Sequence, residues 1–164
     1  MSTKLRVATL VILTRKSGSK ITEVCLAMKK RGFGMGRWNG VGGKVDSLKE
    51  TVEEAAKRET KEEIDVVVNK LHKVAEISFY FQHNPDWDQI VHGYFTEKWA
   101  GDIKETEEMA PRWFKLKEIP YKNMWPDDNY WLPLALKGKL LKATFIFGEN
   151  DTIQDKKIVI VNKL

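Results

Sequence analysis

The stretch that decides the fold reads Trp38-Asn39-Gly40-Val41-Gly42-Gly43-Lys44, then Glu50, then Arg58-Glu59-Thr60-Lys61-Glu62-Glu63. Its first part is too rich in glycine for a regular helix and lets the backbone approach a neighbour closely. From Ser47 to about Glu63 the chain lacks Gly and Pro and is rich in Glu, Lys and Ala, which predicts a helix. Two capping boxes compete for its start, Ser47 with Glu50 and Thr51 with Glu54. Helical spacing puts Val52, Ala55 and Ala56 on one stripe, and Glu59, Glu62 and Glu63 continue it. An amphipathic helix buries such a stripe, yet these carboxylates repel one another and are costly to desolvate unless a cation neutralises them. An oxygen-only donor set suits Mg²⁺ or Mn²⁺ rather than zinc. The same residues also read as a solvated Glu/Lys face, with Lys57 and Lys61 nearby. The Gly-rich loop ahead of them favours the metal, because such a backbone leading into an acidic helix can hold a metal-bound polyphosphate.

Working outward, Leu5 to Thr14 and Ile21 to Met28 read as a hairpin around Lys16-Ser17-Gly18-Ser19. Strands are expected at Leu71–Phe81, Ile90–Trp99, Thr144–Phe147 and Lys157–Val161, and a second helix at Pro126–Leu136. Strand pairs interrupted by two helices predict an α+β domain. No repeat or linker divides the 164 residues, so one domain over 1–164 is expected. With 42% hydrophobic and 31% charged residues, the composition is that of a globular chain, neither disordered nor membrane-embedded. The lone cysteine, Cys25, precludes an internal disulfide and suits a reducing, cytoplasmic setting. The apolar run Val7–Leu13 is far short of the roughly 20 residues that span a bilayer, and no cleavage site for a secretory signal follows it. His72, His83 and His92 have no metal-ligand spacing. A net charge of +5 hints at an anionic ligand.

The Gly-rich loop, Glu50, Arg58-Glu59 and Glu62-Glu63 together resemble the Nudix box, and the spacing from Glu50 onward matches it in full. Three positions depart from the motif. Six residues instead of five separate Gly43 from Glu50, Thr60 replaces an apolar residue, and Asp65 replaces a glycine. The resemblance implies a Nudix fold, an α/β/α sandwich with a mixed central β-sheet. It also implies that Glu59, Glu62 and Glu63 act at Mg²⁺ (or Mn²⁺), that the Gly42 carbonyl and Glu108 join them, and that Arg58 orients carboxylates.

Further segments, among them Met28–Gly34, Lys122–Trp131, Phe79-Tyr80-Phe81 and Asp151-Thr152-Ile153, resemble the branch of that family acting on oxidised purine nucleoside triphosphates. The implied activity is hydrolysis of an 8-oxo-dGTP type substrate to the monophosphate and pyrophosphate, which sanitises the nucleotide pool. Residue chemistry points the same way. Asn39 can pair with a purine edge, Trp125 can stack on a base, and adjacent desolvated Asp127 and Asp128 would share a proton. The two aspartates also fit an ordinary helix N-terminal turn. The resemblance adds Thr9, Lys29, Phe33, Gly43, Lys44, Phe79 and Phe81 to the substrate-binding set. Two other functions fit the motif: a Nudix pyrophosphatase of different nucleotide specificity, and a catalytically silent module that binds nucleotides or RNA. The expected partner is a small nucleotide, with no nucleic acid or membrane, and the chain is expected to be a monomer.

Overall fold

Strand β1 (Arg6–Ser17) and strand β2 (Lys20–Lys29) pair only near their hairpin, where Leu13 to Ser17 face Cys25 to Lys20. Toward the other end they diverge, and the Gly-rich segment fills the fork. Strand β3 (Trp38–Asn39) pairs with Met28 and Ala27 of β2. Val41 then exchanges backbone hydrogen bonds with Val11, and the Gly43 carbonyl accepts the Thr9 N–H at 2.9 Å. This wedge positions the site.

The computed structural model describes residues 5–164. After β3 come helix α1 (Val52–Ile64), β4 (Val67–Val68), β5 (His72–Phe81), β6 (Gln89–Thr96), β7 (Trp99–Ala100), β8 (Met109–Lys115), helix α2 (Asp128–Leu136), β9 (Leu140–Phe147) and β10 (Ile153–Val161). The main sheet runs β10-β9-β5-β6-β1-β2-β3, with β8 also on β2. The β1–β6 and β5–β9 pairs are parallel and the others antiparallel, so the sheet is mixed, as expected. Strand alternation divides the core in two. On one face Val11, Leu13, Cys25 and Ala27 pack with Ala56 and Ile64 of α1. On the other, Ile12, Leu26, Ile77 and Phe145 pack with Trp131, Leu132 and Ala135 of α2. Cys25 is buried, and desolvation pushes its thiol up to about 11. Among the described residues no helix is long and apolar enough to cross a membrane.

The first helix begins at Val52, not at Ser47. Thr51 is its N-cap, its hydroxyl accepting the Glu54 N–H at 3.2 Å, so the second capping box sets the start. The longer spacer before it is a turn in which the Lys49 and Glu50 N–H groups both reach the Asp46 carbonyl. The helix ends on Asp65 in the left-handed region, φ 61° and ψ 33°, where the motif has glycine. Lys61 and Lys104 ion-pair with its carboxylate there. Buried Thr60 fits the apolar stripe because its hydroxyl donates to the Ala56 carbonyl at 2.7 Å. The second helix likewise starts at Asp128, two residues after Pro126. Strand β8 has no counterpart in the sequence reading, since Pro111 interrupts its pattern.

Candidate active site

Close backbone approach explains the glycines of the wedge. A side chain at Gly42 would strike the Thr9 carbonyl, and a Cβ at Gly43 would lie 2.5 Å from the Glu59 carboxyl carbon. Glycine thus brings the loop backbone onto two α1 carboxylates. The Gly42 N–H donates to Glu63 Oε2 at 3.0 Å. Glu63 is buried, and desolvation pushes its carboxyl up to about 7 against that hydrogen bond, with Glu59 and Glu108 adding repulsion. Lys29 Nζ stands 4.0 Å from Glu63 Oε1. Glu59 is also pushed up, first by desolvation, with Glu62 and Glu108 contributing and Arg58 opposing.

Arg58 organises the rest of the acidic face. It donates to both oxygens of Glu50, at 2.9 and 2.7 Å, to Glu59 Oε1 at 2.9 Å and to Glu62 Oε2 at 3.2 Å. Its hydrogen bonds hold the Glu50 carboxyl down at about 2. Glu50 is therefore an anchor for Arg58 in this arrangement. Glu108 is tied to Arg31 at 3.2 Å. Among the described residues no three acidic or other ligand-type side chains converge on one point as a closed metal site. The donor chemistry nonetheless suits a hard divalent cation. Three carboxylates feel each other's charge, Glu63 and Glu59 are both desolvated, and no backbone hydrogen bond among the described residues takes up the Gly42 carbonyl.

A cavity of about 360 Å³ opens over this loop, a size suited to a small-molecule site. All the residues expected to bind substrate line it. Thr9, Asn39, Gly43 and Lys44 come from the wedge and β1, Lys29 and Phe33 from the end of β2 and the loop beyond, and Phe79 and Phe81 from β5. Trp125 and Asp127 come from the turn leading into α2, and Asp128 is its first residue. Trp131 Nε1 bridges the aspartates, donating to Asp127 Oδ2 at 2.9 Å and Asp128 Oδ1 at 3.1 Å. Both are buried, and desolvation holds both carboxyls well above the usual range, Asp127 at about 7, while the charge of Asp127 raises Asp128 further. Asp128 Oδ2 is buried without a partner among the described residues. Asn39 Oδ1 accepts the Gly40 N–H at 2.8 Å, which fixes the amide.

The sequence reading missed several lining residues. Trp87, whose ring lies 4.9 Å from Phe33, comes from the β5–β6 connection and Gln89 from the first position of β6, where no local pattern marks them. Trp131 carried a usable signal, its spacing of three and four residues from the aspartates.

A Gly-rich wedge set against an acidic helix, beside a cavity with paired buried aspartates, matches the motif's architecture. The chain belongs to the Nudix family, whose NUDIX domain model matches residues 4–135. It is 47% identical over 153 residues to the Mus musculus protein "Oxidized purine nucleoside triphosphate hydrolase", covering 93% of each chain. The Danio rerio protein of the same name is 42% identical over 142 residues, covering 87% of this chain and 90% of that one. The crystal structure of a MutT protein from Bacillus halodurans superposes with a TM-score of 0.78 at 22% identity, covering 94% and 97% of the two chains, a likeness of fold.

Proposed function

We propose that this protein hydrolyses oxidised purine nucleoside triphosphates of the 8-oxo-dGTP type to the monophosphate and pyrophosphate, using Mg²⁺. The Mus musculus and Danio rerio relatives are named for hydrolysis of that substrate class. One observation carries the reading. One cavity of about 360 Å³ is lined both by the buried Asp127–Asp128 pair and by Gly42 and Gly43, against which Glu63 and Glu59 are held.

The base lies among Phe33, Phe79, Phe81 and Trp125. Burial keeps a proton on the aspartate pair, so it offers an O–H donor beside carboxylate acceptors, with Asp128 Oδ2 free. An oxidised purine edge, with carbonyl, ring N–H and exocyclic amine, complements that pattern. Asn39, its oxygen engaged by Gly40, donates its amide N–H₂. Lys29 and Lys44 supply positive charge toward the phosphates. Glu59, Glu62, Glu63, Glu108 and the Gly42 carbonyl would hold Mg²⁺, with Mn²⁺ as a substitute. Such an ion, when bound, neutralises phosphate charge and acidifies water. Arg58 orients Glu59 and Glu62, and the Gly42 N–H orients Glu63. The chain acts in the cytoplasm as a single-domain monomer without a nucleic-acid or membrane partner. Lys156 and Lys157 on edge strand β10 support the monomer by discouraging edge pairing.

The test is pyrophosphate release with Mg²⁺ from 8-oxo-dGTP and dGTP. The expected kcat/KM for 8-oxo-dGTP is higher by at least about tenfold, since a mismatched base leaves buried polar groups unpaired. Equal values on both would remove the oxidised-base preference. No turnover of any nucleotide would leave a binding module instead of an enzyme.

A further inference from the structure

Trp125 has a charged neighbour that does not line the cavity. Arg37, in the loop between β2 and β3, is fixed through its backbone: its N–H donates to the Gly34 carbonyl and its carbonyl accepts the Lys29 N–H, both at 3.1 Å. Its guanidinium lies over Trp125, with Cζ 4.0 Å from the ring centroid. Nη2 donates to Asp151 Oδ2 at 3.0 Å, and the two side chains are only 27% and 33% exposed. Nη1 is buried without a partner among the described residues. Asp151 belongs to the turn between β9 and β10, where it and Asn150 both have φ of 55°, a left-handed conformation that Asn and Asp adopt more readily than other non-glycine residues.

We infer that Arg37 is a positioning residue for base recognition: clamped by Asp151 and laid on Trp125, it fixes that ring where it lines the cavity with the Asp127–Asp128 pair. This rests on the proposed role of those three residues in binding the base. Among the described residues, the charged and titratable groups electrostatically coupled to the pair are Arg37, from the β2–β3 loop, and Tyr121, from the turn at 121–123. Trp131 donates to both carboxyls from within α2. Arg37 opposes the desolvation of both carboxyls, so without it the pair holds its proton more tightly. Lysine would keep the charge and lose the planar stack on Trp125.

The experiment uses the whole chain and two readouts, carboxyl ¹³C NMR titration of Asp127 and Asp128 in the free protein and steady-state kinetics on 8-oxo-dGTP. In Arg37→Gln the titration of the pair moves up by about half a pH unit or more, KM rises by roughly tenfold, and kcat stays within about twofold. Arg37→Lys restores the titration but not KM. An unmoved titration in folded Arg37→Gln overturns the inference, as does wild-type KM in Arg37→Lys. If Arg37→Gln does not fold, Arg37→Lys alone decides, by the same KM criterion. If the wild-type protein ignores 8-oxo-dGTP while the titration still moves, the substrate assignment fails and the placement of Arg37 against the pair stands.

Discussion

Glu63 shows how one residue can cost stability and supply function. It sits on the buried stripe of α1, where an apolar side chain would carry no charge to desolvate, and receives a single backbone N–H, from Gly42. Its carboxyl, at about 7, lies above the ordinary value near 4.5, and Asp127 at about 7 lies above its own near 3.8. A carboxyl raised on folding contributes its stability below the unfolded value and loses it as pH climbs through the folded value. The metal-free protein should therefore lose stability, on the order of a few kcal/mol, as pH rises from about 4 to about 7. Thermal unfolding in EDTA across that window checks this, and Asp127→Asn should flatten the slope. A level melting temperature would mean the two carboxyls are not desolvated. Glu63→Gln should melt no earlier than wild type above pH 7, yet lose turnover by about 10²-fold or more. Near-normal activity in that variant would move the metal site elsewhere.

At the scale of elements, α1 and the wedge are set by different physics. The helix owes its start to Thr51, and Thr51→Ala should cost about 1 kcal/mol in denaturant unfolding, with Ser47→Ala close to neutral. The reverse result would restore the earlier start that the first capping box suggested. The wedge depends on absent side chains. Gly42→Ala drives a methyl group into the Thr9 carbonyl, inside a fork closed on both sides by backbone hydrogen bonds. A loss of at least about 2 kcal/mol is expected, with activity falling further than stability because Glu63 loses its donor. Arg58 links the two elements: it reaches Glu50 and the Lys44 carbonyl on the loop side, and Glu59 and Glu62 on the helix.

At the scale of the whole molecule, the site exists because the first two strands part. Their fork admits the glycine wedge, α1 covers one face of the sheet, and α2 brings Trp125, Asp127 and Asp128 to the cavity from the other. A cation binding only the folded chain should stabilise the molecule globally. Mg²⁺ or Mn²⁺ at a hundredfold excess over its dissociation constant is expected to add about 2.7 kcal/mol, read as a rise in melting temperature. Glu63→Gln should abolish that rise, and an undiminished rise would place the cation away from the wedge.

The sequence by itself determined the local physics: the acidic stripe, the Gly-rich loop before it, and the mixed α and β pattern. Helical periodicity and glycine content act over a few residues, so they are visible without a fold. Tertiary structure alone decided that Glu63 is desolvated while Glu62 is held at the surface by Arg58, and that the start of α1 falls at Thr51. Only the fold could bring Trp87 to Phe33, or Asp151 to Arg37 across 114 positions of chain. Desolvation and long-range pairing depend on what the rest of the chain packs around a residue, and no local pattern encodes that.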